Sequence, residues 1–121
     1  MLSDIGSALA GVLALATVLM GARYVLAPQP AAAGFGIPGA PVDPAWLAVK
    51  AVRDIAIGIA IAVLLIAAGH RELGYMMLVT ALIPIADGAI VLRSHGPKAV
   101  AYGIHWSTAA VMVIVALLLV V

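Results

Sequence analysis

The 121-residue sequence contains no cysteine and few charged side chains. Without cysteine there can be no disulfide bond, thiolate metal site, redox dithiol or cysteine nucleophile. Charged residues make up 9% of the chain, whereas they make up about a quarter of an average soluble domain. The net charge is +1, and no basic tail or aromatic–arginine pattern is present, so nucleic acid is not expected as a partner.

Apolar residues dominate the sequence, at 66% of the chain, with a mean hydropathy of +1.27. So few charges cannot cover that much apolar surface in water, which makes the lipid bilayer the expected surroundings of the chain. About 20 helical residues cross the hydrocarbon core. The sequence predicts an all-α fold, an antiparallel up-down four-helix bundle that forms one transmembrane domain over residues 1–121. Its four transmembrane helices are predicted at about 5–26, 45–69, 73–94 and 99–121.

Polar or proline-rich segments separate the predicted helices. The loop over 27–43 contains several prolines and glycines, which do not continue a helix. Asp43 followed by Pro44 is typical of a helix start. The segments 70–72 and 95–98 are predicted to be short turns.

Three further features concern the helices themselves. Met1–Asp4 has no basic side chain and precedes a long apolar run, so the first helix is predicted to be a retained span rather than a secretory signal. Pro84 lies inside the third helix and is expected to kink it. Small residues recur at four-residue spacing, which allows helices to approach closely and leaves a homo-oligomer open. These pairs are Ser7 and Gly11, Ala10 and Ala14, and Gly58 and Ala62.

The distribution of basic residues predicts an orientation. Side A is the end of the bundle with both termini and the Arg71 turn, and side B is the end with the long first loop and the 95–98 turn. Basic residues near side B are Arg23, Lys50, Arg53, Arg93 and Lys98. By the positive-inside rule, side B is cytoplasmic and the termini are outside. The chain is therefore predicted to be a multi-pass protein of the plasma or inner membrane.

Charged side chains in the second helix indicate a polar site inside the membrane. Lys50, Arg53 and Asp54 share an arc of about 100° on that helix, and Trp46 falls within it. Charges inside a membrane are costly and frequently functional, so this face is expected to point into the bundle. Asp87 lies about 10 Å from side B at 1.5 Å per residue.

His105 lies at a similar depth on the fourth helix, so polar groups from all four helices are expected in the side B leaflet. Asp54, Asp87 and His105 form a candidate general acid/base set. The candidate ligand-binding residues are Arg23, Tyr24, Trp46, Lys50, Arg53, Arg93 and Tyr102. Arg23, Lys50, Arg53 and Arg93 exceed the two aspartates by two charges, which favours an anionic head such as a carboxylate or phosphate.

The same residues have simpler explanations, which stay open. The basic groups near the helix ends can snorkel to lipid headgroups, and the others can form structural ion pairs. A buried histidine such as His105 is commonly a hydrogen-bonded core residue. No metal is predicted, because the neighbouring cations oppose a bound cation. No cofactor is predicted either, since Gly34–Gly39 follows no strand and lacks the lysine of a phosphate loop.

Several motifs resemble a family of small four-helix membrane proteins, catalogued as domain of unknown function 4267. They are Gly21–Pro28, Ala33–Gly36, Lys50–Ile55, Ile83–Asp87 and Gly103–His105. The chain is also distantly similar to DoxX-type four-helix bundles. The resemblance covers nearly the whole chain and implies the four-helix membrane fold and these site residues, but no reaction.

Three functions remain open at this stage. The first is a binding site or enzyme for an amphipathic or anionic small molecule, with isomerase, cyclase or hydrolase chemistry. The second is a small transporter, although the first helix has no carboxylate beyond Asp4. The third is an accessory membrane subunit whose charges only fix helix register.

Overall fold

The computed structural model describes residues 1–39 and 41–121 and shows an all-α architecture, as predicted. Within these residues the structure contains helices, turns and irregular segments and no strand. The α-helices are α1 Leu2–Leu26, α2 Pro28–Phe35, α3 Pro44–Ala67, α4 His70–Thr80, α5 Leu82–Arg93, α6 Lys98–Val100 and α7 Ser107–Val120. A π-helical segment over Ala101–Trp106 joins α6 to α7.

Three helical stretches of the described residues are long and apolar enough to cross a membrane. They are Leu2–Leu26, His70–Arg93 and Lys98–Val120. The fourth long helix, α3, has a similar length of 24 residues. It differs in carrying Lys50, Arg53 and Asp54 within one turn.

The loop after α1 contains a helix that the sequence analysis did not predict. Pro28 begins α2, and Pro30 also falls in its first turn. The first-turn amides of a helix have no partner within the helix, so proline costs little there. Gly36 ends α2 with φ of 101°, a left-handed conformation that glycine adopts readily. The expectation that proline density excludes a helix over 27–43 was therefore wrong.

The boundaries of the third predicted helix also differ in detail. The segment 70–72 was predicted to be a turn, but α4 begins at His70 and the chain turns at 68–69. The helix is then interrupted at Ala81. Pro84 explains this interruption, because it has no amide proton to bond the Thr80 carbonyl four residues earlier. The Thr80 hydroxyl donates to the Met76 carbonyl oxygen at 2.9 Å.

Contacts group different parts of the chain at the two ends of the long helices. At side A, Met1 and Val121 lie beside His70 in a common surface depression. At side B, Gly36 lies against Val100 and within reach of Val91. The turn after α5 therefore meets the end of α2 at the opposite end from the chain termini.

Glycines bring α1 and α3 close together. A Cβ atom at Gly58 would lie 2.7 Å from the Ala14 carbonyl oxygen, and one at Gly21 would lie 2.9 Å from the Ala51 carbonyl oxygen. Any larger residue would therefore push the two backbones apart. The expected close approach through small residues is present within the chain for Ala14 and Gly58.

The main apolar core fills the side A half of the bundle. Its buried members are Ala10, Ala14, Ile61, Leu73, Met77, Ala81, Met112, Val115, Ala116 and Leu119. A smaller cluster at side B joins Tyr24, Ala31, Leu47 and Ala51, with Phe35 packed against it. A cavity lies between these two clusters.

Candidate functional site

A cavity of about 260 Å³ extends from the middle of the bundle toward side B. It lies between two helix pairs: the first pair is α1 with α3, and the second pair is His70–Arg93 with Lys98–Val120. Its lining is Leu13, Thr17, Met20, Arg23, Tyr24, Ala31, Gly34, Phe35, Lys50, Asp54, Ile57, Ile61, Thr80, Ile83, Pro84, Asp87, Ile104, His105, Thr108 and Met112. All four long helices and α2 thus contribute side chains.

Polar and apolar lining residues occupy different ends of the cavity. Its charged and aromatic polar groups are Arg23, Tyr24, Lys50, Asp54, Asp87 and His105, all on the side B part of their helices. Toward mid-bundle the lining includes Leu13, Ile61 and Met112. The last two of these also belong to the main core. The cavity therefore has a polar end and an apolar end.

Lys50 and Asp54 form an ion pair at the polar end. The Lys50 Nζ atom donates to Asp54 Oδ2 at 2.9 Å, one helical turn apart, and both side chains are mostly buried. The same ammonium lies 4.8 Å from the ring centroid of Tyr24 and 5.3 Å from that of Phe35. Aromatic faces attract cations, so three neighbours stabilise the charge of Lys50.

Asp87 is the other carboxylate of the lining, and it is half-buried. Within residues 1–39 and 41–121 it forms no ion pair and no side-chain hydrogen bond. Next to it, Gly88 leaves room for the indole of Trp106, which donates to the Ile85 carbonyl oxygen at 3.0 Å. This contact fixes α5 against the π-helical segment while the Asp87 carboxylate borders the cavity.

His105 lies in the π-helical segment and is buried, with 8% of its surface exposed. Its Nε2 atom lies 2.8 Å from the Phe35 carbonyl oxygen. A carbonyl oxygen only accepts hydrogen bonds, so Nε2 carries a proton and neutral His105 has its lone pair on Nδ1. Short π-helical segments frequently occur at functional sites.

The α2 helix covers the side B end of the cavity. Ala31, Gly34 and Phe35 contribute to the lining from this helix. The Gln29 side chain holds the following loop by donating to the Val42 carbonyl oxygen at 2.8 Å and accepting from the Val42 amide at 3.1 Å. Sequence reasoning missed Phe35 and α2. The sequence does contain a signal for α2, namely a proline in the first turn, Pro28, and a glycine after the last turn, Gly36.

The structure brings together six of the ten predicted site residues. The cavity is lined by Arg23, Tyr24, Lys50, Asp54, Asp87 and His105, whereas Trp46, Arg53, Arg93 and Tyr102 lie outside its lining and are exposed. The buried face of α3 includes Leu47 and Gly58. Arg53 lies about 120° from Leu47 around the helix, which carries it off that face.

The prediction that Trp46 and Arg53 face the bundle interior is therefore wrong, and Trp46 is 71% exposed. A binding role for the four outer residues stays a prediction. Without them the lining contains two basic residues and two aspartates, so the expected surplus of positive charge is not found in the cavity. Among the described residues, no group of three or more histidine and acidic side chains is arranged to hold a metal ion.

Fold and site together define an all-α protein with membrane-length apolar helices around an internal cavity. The family model described as Domain of unknown function (DUF4267) matches residues 14–119. The chain belongs to this family, which confirms the resemblance seen in its motifs. No curated protein and no solved structure matches the chain.

Proposed function

We propose that this chain is a multi-pass membrane protein whose cavity binds an amphipathic small molecule and exchanges a proton with it. Residues 1–121 would form one domain with four spans, α3 being the fourth. The observation that carries the proposal is the Asp87 carboxylate, which borders the cavity without a protein partner in the described chain. Ionisable groups inside membrane proteins commonly mark ligand or proton sites.

The dimensions and contacts of α3 support a fourth span. Its 24 residues measure about 36 Å at 1.5 Å per residue, enough for a hydrocarbon core of about 30 Å. Lys50 and Asp54 neutralise each other, and the exposed Arg53 lies in the side B part of the helix, from which an arginine can snorkel to headgroups. The positive-inside rule still favours side B as the cytoplasmic side of a plasma or inner membrane.

The polarity of the cavity supports an amphipathic ligand. A polar head would lie at the side B end beside Asp87 and His105, and an apolar portion would extend toward Ile61 and Met112. Known small-molecule sites have the same character, with mostly apolar walls and a few polar groups that orient the ligand.

The chemistry that these groups can support is proton transfer. Asp87 has no competing partner among the described residues, whereas Asp54 is held by Lys50. Neutral His105 has an unprotonated Nδ1 because its Nε2 donates to Phe35. Both groups can accept a proton, and the group that has accepted one can return it, which suits an isomerase, cyclase or hydrolase.

A comparison of molecules that co-purify with the protein tests the proposal. Asp87→Asn removes the unpaired carboxylate, and Asp4→Asn makes the same chemical change at an exposed site outside the cavity. We expect mass spectrometry of the purified protein to find a bound amphipathic molecule in the parent and in Asp4→Asn, and to find it depleted in Asp87→Asn. Equal retention by all three proteins would refute a ligand held at Asp87.

A small transporter is the second candidate, and the same carboxylate favours it. Proton-coupled carriers need an acidic group that alternates between proton and substrate inside the membrane, and Asp87 lies in a membrane-length helix. Proteoliposomes with an imposed pH gradient separate the two functions. Substrate accumulation that depends on the gradient and on Asp87 would indicate transport, and conversion without accumulation would indicate an enzyme.

A further inference from the structure

The charge balance and openings of the cavity point to a ligand class, an inference that rests on the proposed function. We infer that the ligand is a bilayer-soluble molecule with an uncharged, hydrogen-bond-donating head of the hydroxyl type on an apolar chain. It reaches the cavity sideways from the membrane, between the two helix pairs.

Counting Arg23, which lines the cavity although it is exposed, the lining has equal numbers of basic and acidic residues before any ligand binds. Arg23 and Lys50 are its basic residues, and Asp54 and Asp87 are its carboxylates. An anionic or cationic head would leave one uncompensated charge inside the bundle, which is costly in a medium of low dielectric constant. An uncharged head leaves the balance unchanged.

The Asp87 carboxylate, which has no partner in the described chain, determines which uncharged head fits the cavity. An ionised Asp87 accepts hydrogen bonds only, so it favours a ligand that donates one. The Lys50 ammonium donates one of its three N–H groups to Asp54 at 2.9 Å. The hydroxyls of Thr17, Thr80 and Thr108 all donate to backbone carbonyl oxygens of their own helices. Arg23 and Tyr24 also line the cavity and can donate, so a hydroxyl head, which both donates and accepts hydrogen bonds, fits the lining.

The shape of the cavity indicates access from the bilayer. Met20, Ile83 and Ile104 line it and are also 55%, 40% and 43% exposed. They belong to α1, α5 and the π-helical segment, so both helix pairs border the opening. Since these outer surfaces are apolar, the opening faces lipid chains rather than water.

The size of the cavity indicates that it encloses only part of the ligand. Sites that bury a whole drug-sized ligand measure about 300–1,000 Å³. At about 260 Å³ the cavity lies below this range. It holds a head and the first part of a chain, while the remaining chain extends into the bilayer through the opening.

Three probes with one chain and different heads test this inference in the full-length protein in nanodiscs. They are 1-dodecanol, dodecanoate and dodecylammonium, presented together at equal membrane concentration and pH 7. Butan-1-ol carries the same head as 1-dodecanol but partitions largely into water. Bound probe per protein is measured by native mass spectrometry. We expect 1-dodecanol to exceed each charged probe and butan-1-ol by about tenfold or more.

Two variants change the net charge of the lining in opposite directions and should therefore change which probe the protein prefers. Asp87→Asn leaves a surplus positive charge and should favour dodecanoate, whereas Lys50→Met leaves a surplus negative charge and should favour dodecylammonium. A charged probe preferred by the parent would overturn the ligand class but keep the proposed binding function. Preference for butan-1-ol would overturn access from the bilayer. Failure of every probe to bind saturably would overturn both the inference and the proposed function.

Discussion

The imidazole of His105 donates a hydrogen bond through Nε2 to the carbonyl oxygen of Phe35, at 2.8 Å and across 70 positions of sequence. The ring centroids of these two residues are 4.5 Å apart. This pair joins α2, which covers the cavity, to the π-helical segment that forms one of its walls. The position of the cover and the tautomer of the histidine therefore depend on one another.

Replacing His105 by leucine should loosen α2. The substitution removes the only donor that the described structure offers to the Phe35 carbonyl oxygen, at a cost of about 1 kcal/mol. Hydrogen exchange over residues 28–36 should then accelerate severalfold. His70→Leu makes the same change at an exposed histidine on side A and should leave that segment unchanged. Unaltered exchange in His105→Leu would mean that other contacts hold α2 in place.

Gly88 should tolerate no side chain, because a Cβ atom there would collide with the Trp106 indole. Gly88→Ala should break the hydrogen bond from Trp106 to Ile85 and lower the free energy of unfolding by about 1–3 kcal/mol. Gly103→Ala is the matched control, since no atom lies within 4 Å of its added Cβ. Detergent-induced unfolding followed by tryptophan fluorescence measures both. Similar stability of the two variants would contradict the close contact.

The apolar framework of this protein could be predicted from sequence because it depends on composition and length. The kink expected from Pro84 corresponds to the interruption at Ala81. It could be predicted because the missing amide proton of proline acts locally. The α2 helix was missed because prolines count against a helix unless they fall in its first turn. That distinction depends on where the helix starts, which the loop sequence does not mark strongly.

The site residues were harder to predict than the helices. Periodicity placed Lys50, Arg53 and Asp54 on one arc, but an arc of about 100° is wider than the face that α3 buries. Which part of the arc points inward depends on where Gly58 meets α1, a tertiary contact that one helix does not reveal. Because Arg53 and Arg93 lie outside the cavity, its lining has no surplus of positive charge. An uncharged ligand head is therefore favoured over an anionic one.

The Lys50–Asp54 pair should behave as a coupled unit. Lys50→Met and Asp54→Asn each leave one mostly buried group without its partner, so each should lower the free energy of unfolding by roughly 1–3 kcal/mol. The double variant should lose less than the sum of the two single losses. A double-mutant cycle in detergent-induced unfolding measures this coupling. Strict additivity would show that the ion pair does not contribute to stability.

Single cysteines at the ends of the first three proposed spans should test the topology, because the chain has no cysteine of its own. Ser3→Cys and His70→Cys lie at side A, whereas Gly39→Cys and His95→Cys lie at side B. A membrane-impermeant maleimide applied to intact cells should label the side A pair alone if side B is cytoplasmic. Labelling of Ser3→Cys and Gly39→Cys from the same side would exclude a spanning α1. Labelling of the side B pair alone would reverse the orientation.

Photochemical cross-linking tests most directly whether the cavity holds an amphipathic molecule. Dodecyl probes with a diazirine on the chain and a hydroxyl, carboxylate or ammonium head are incorporated with the protein into nanodiscs, illuminated and mapped by mass spectrometry. Cross-links that excess unlabelled compound displaces should occur at Met20, Ile83 and Ile104, which line the cavity. Leu15 and Val63 are exposed and lie outside it, so they should show only labelling that cannot be displaced. If no head group gave displaceable cross-links at the lining residues, the cavity would not be a binding site.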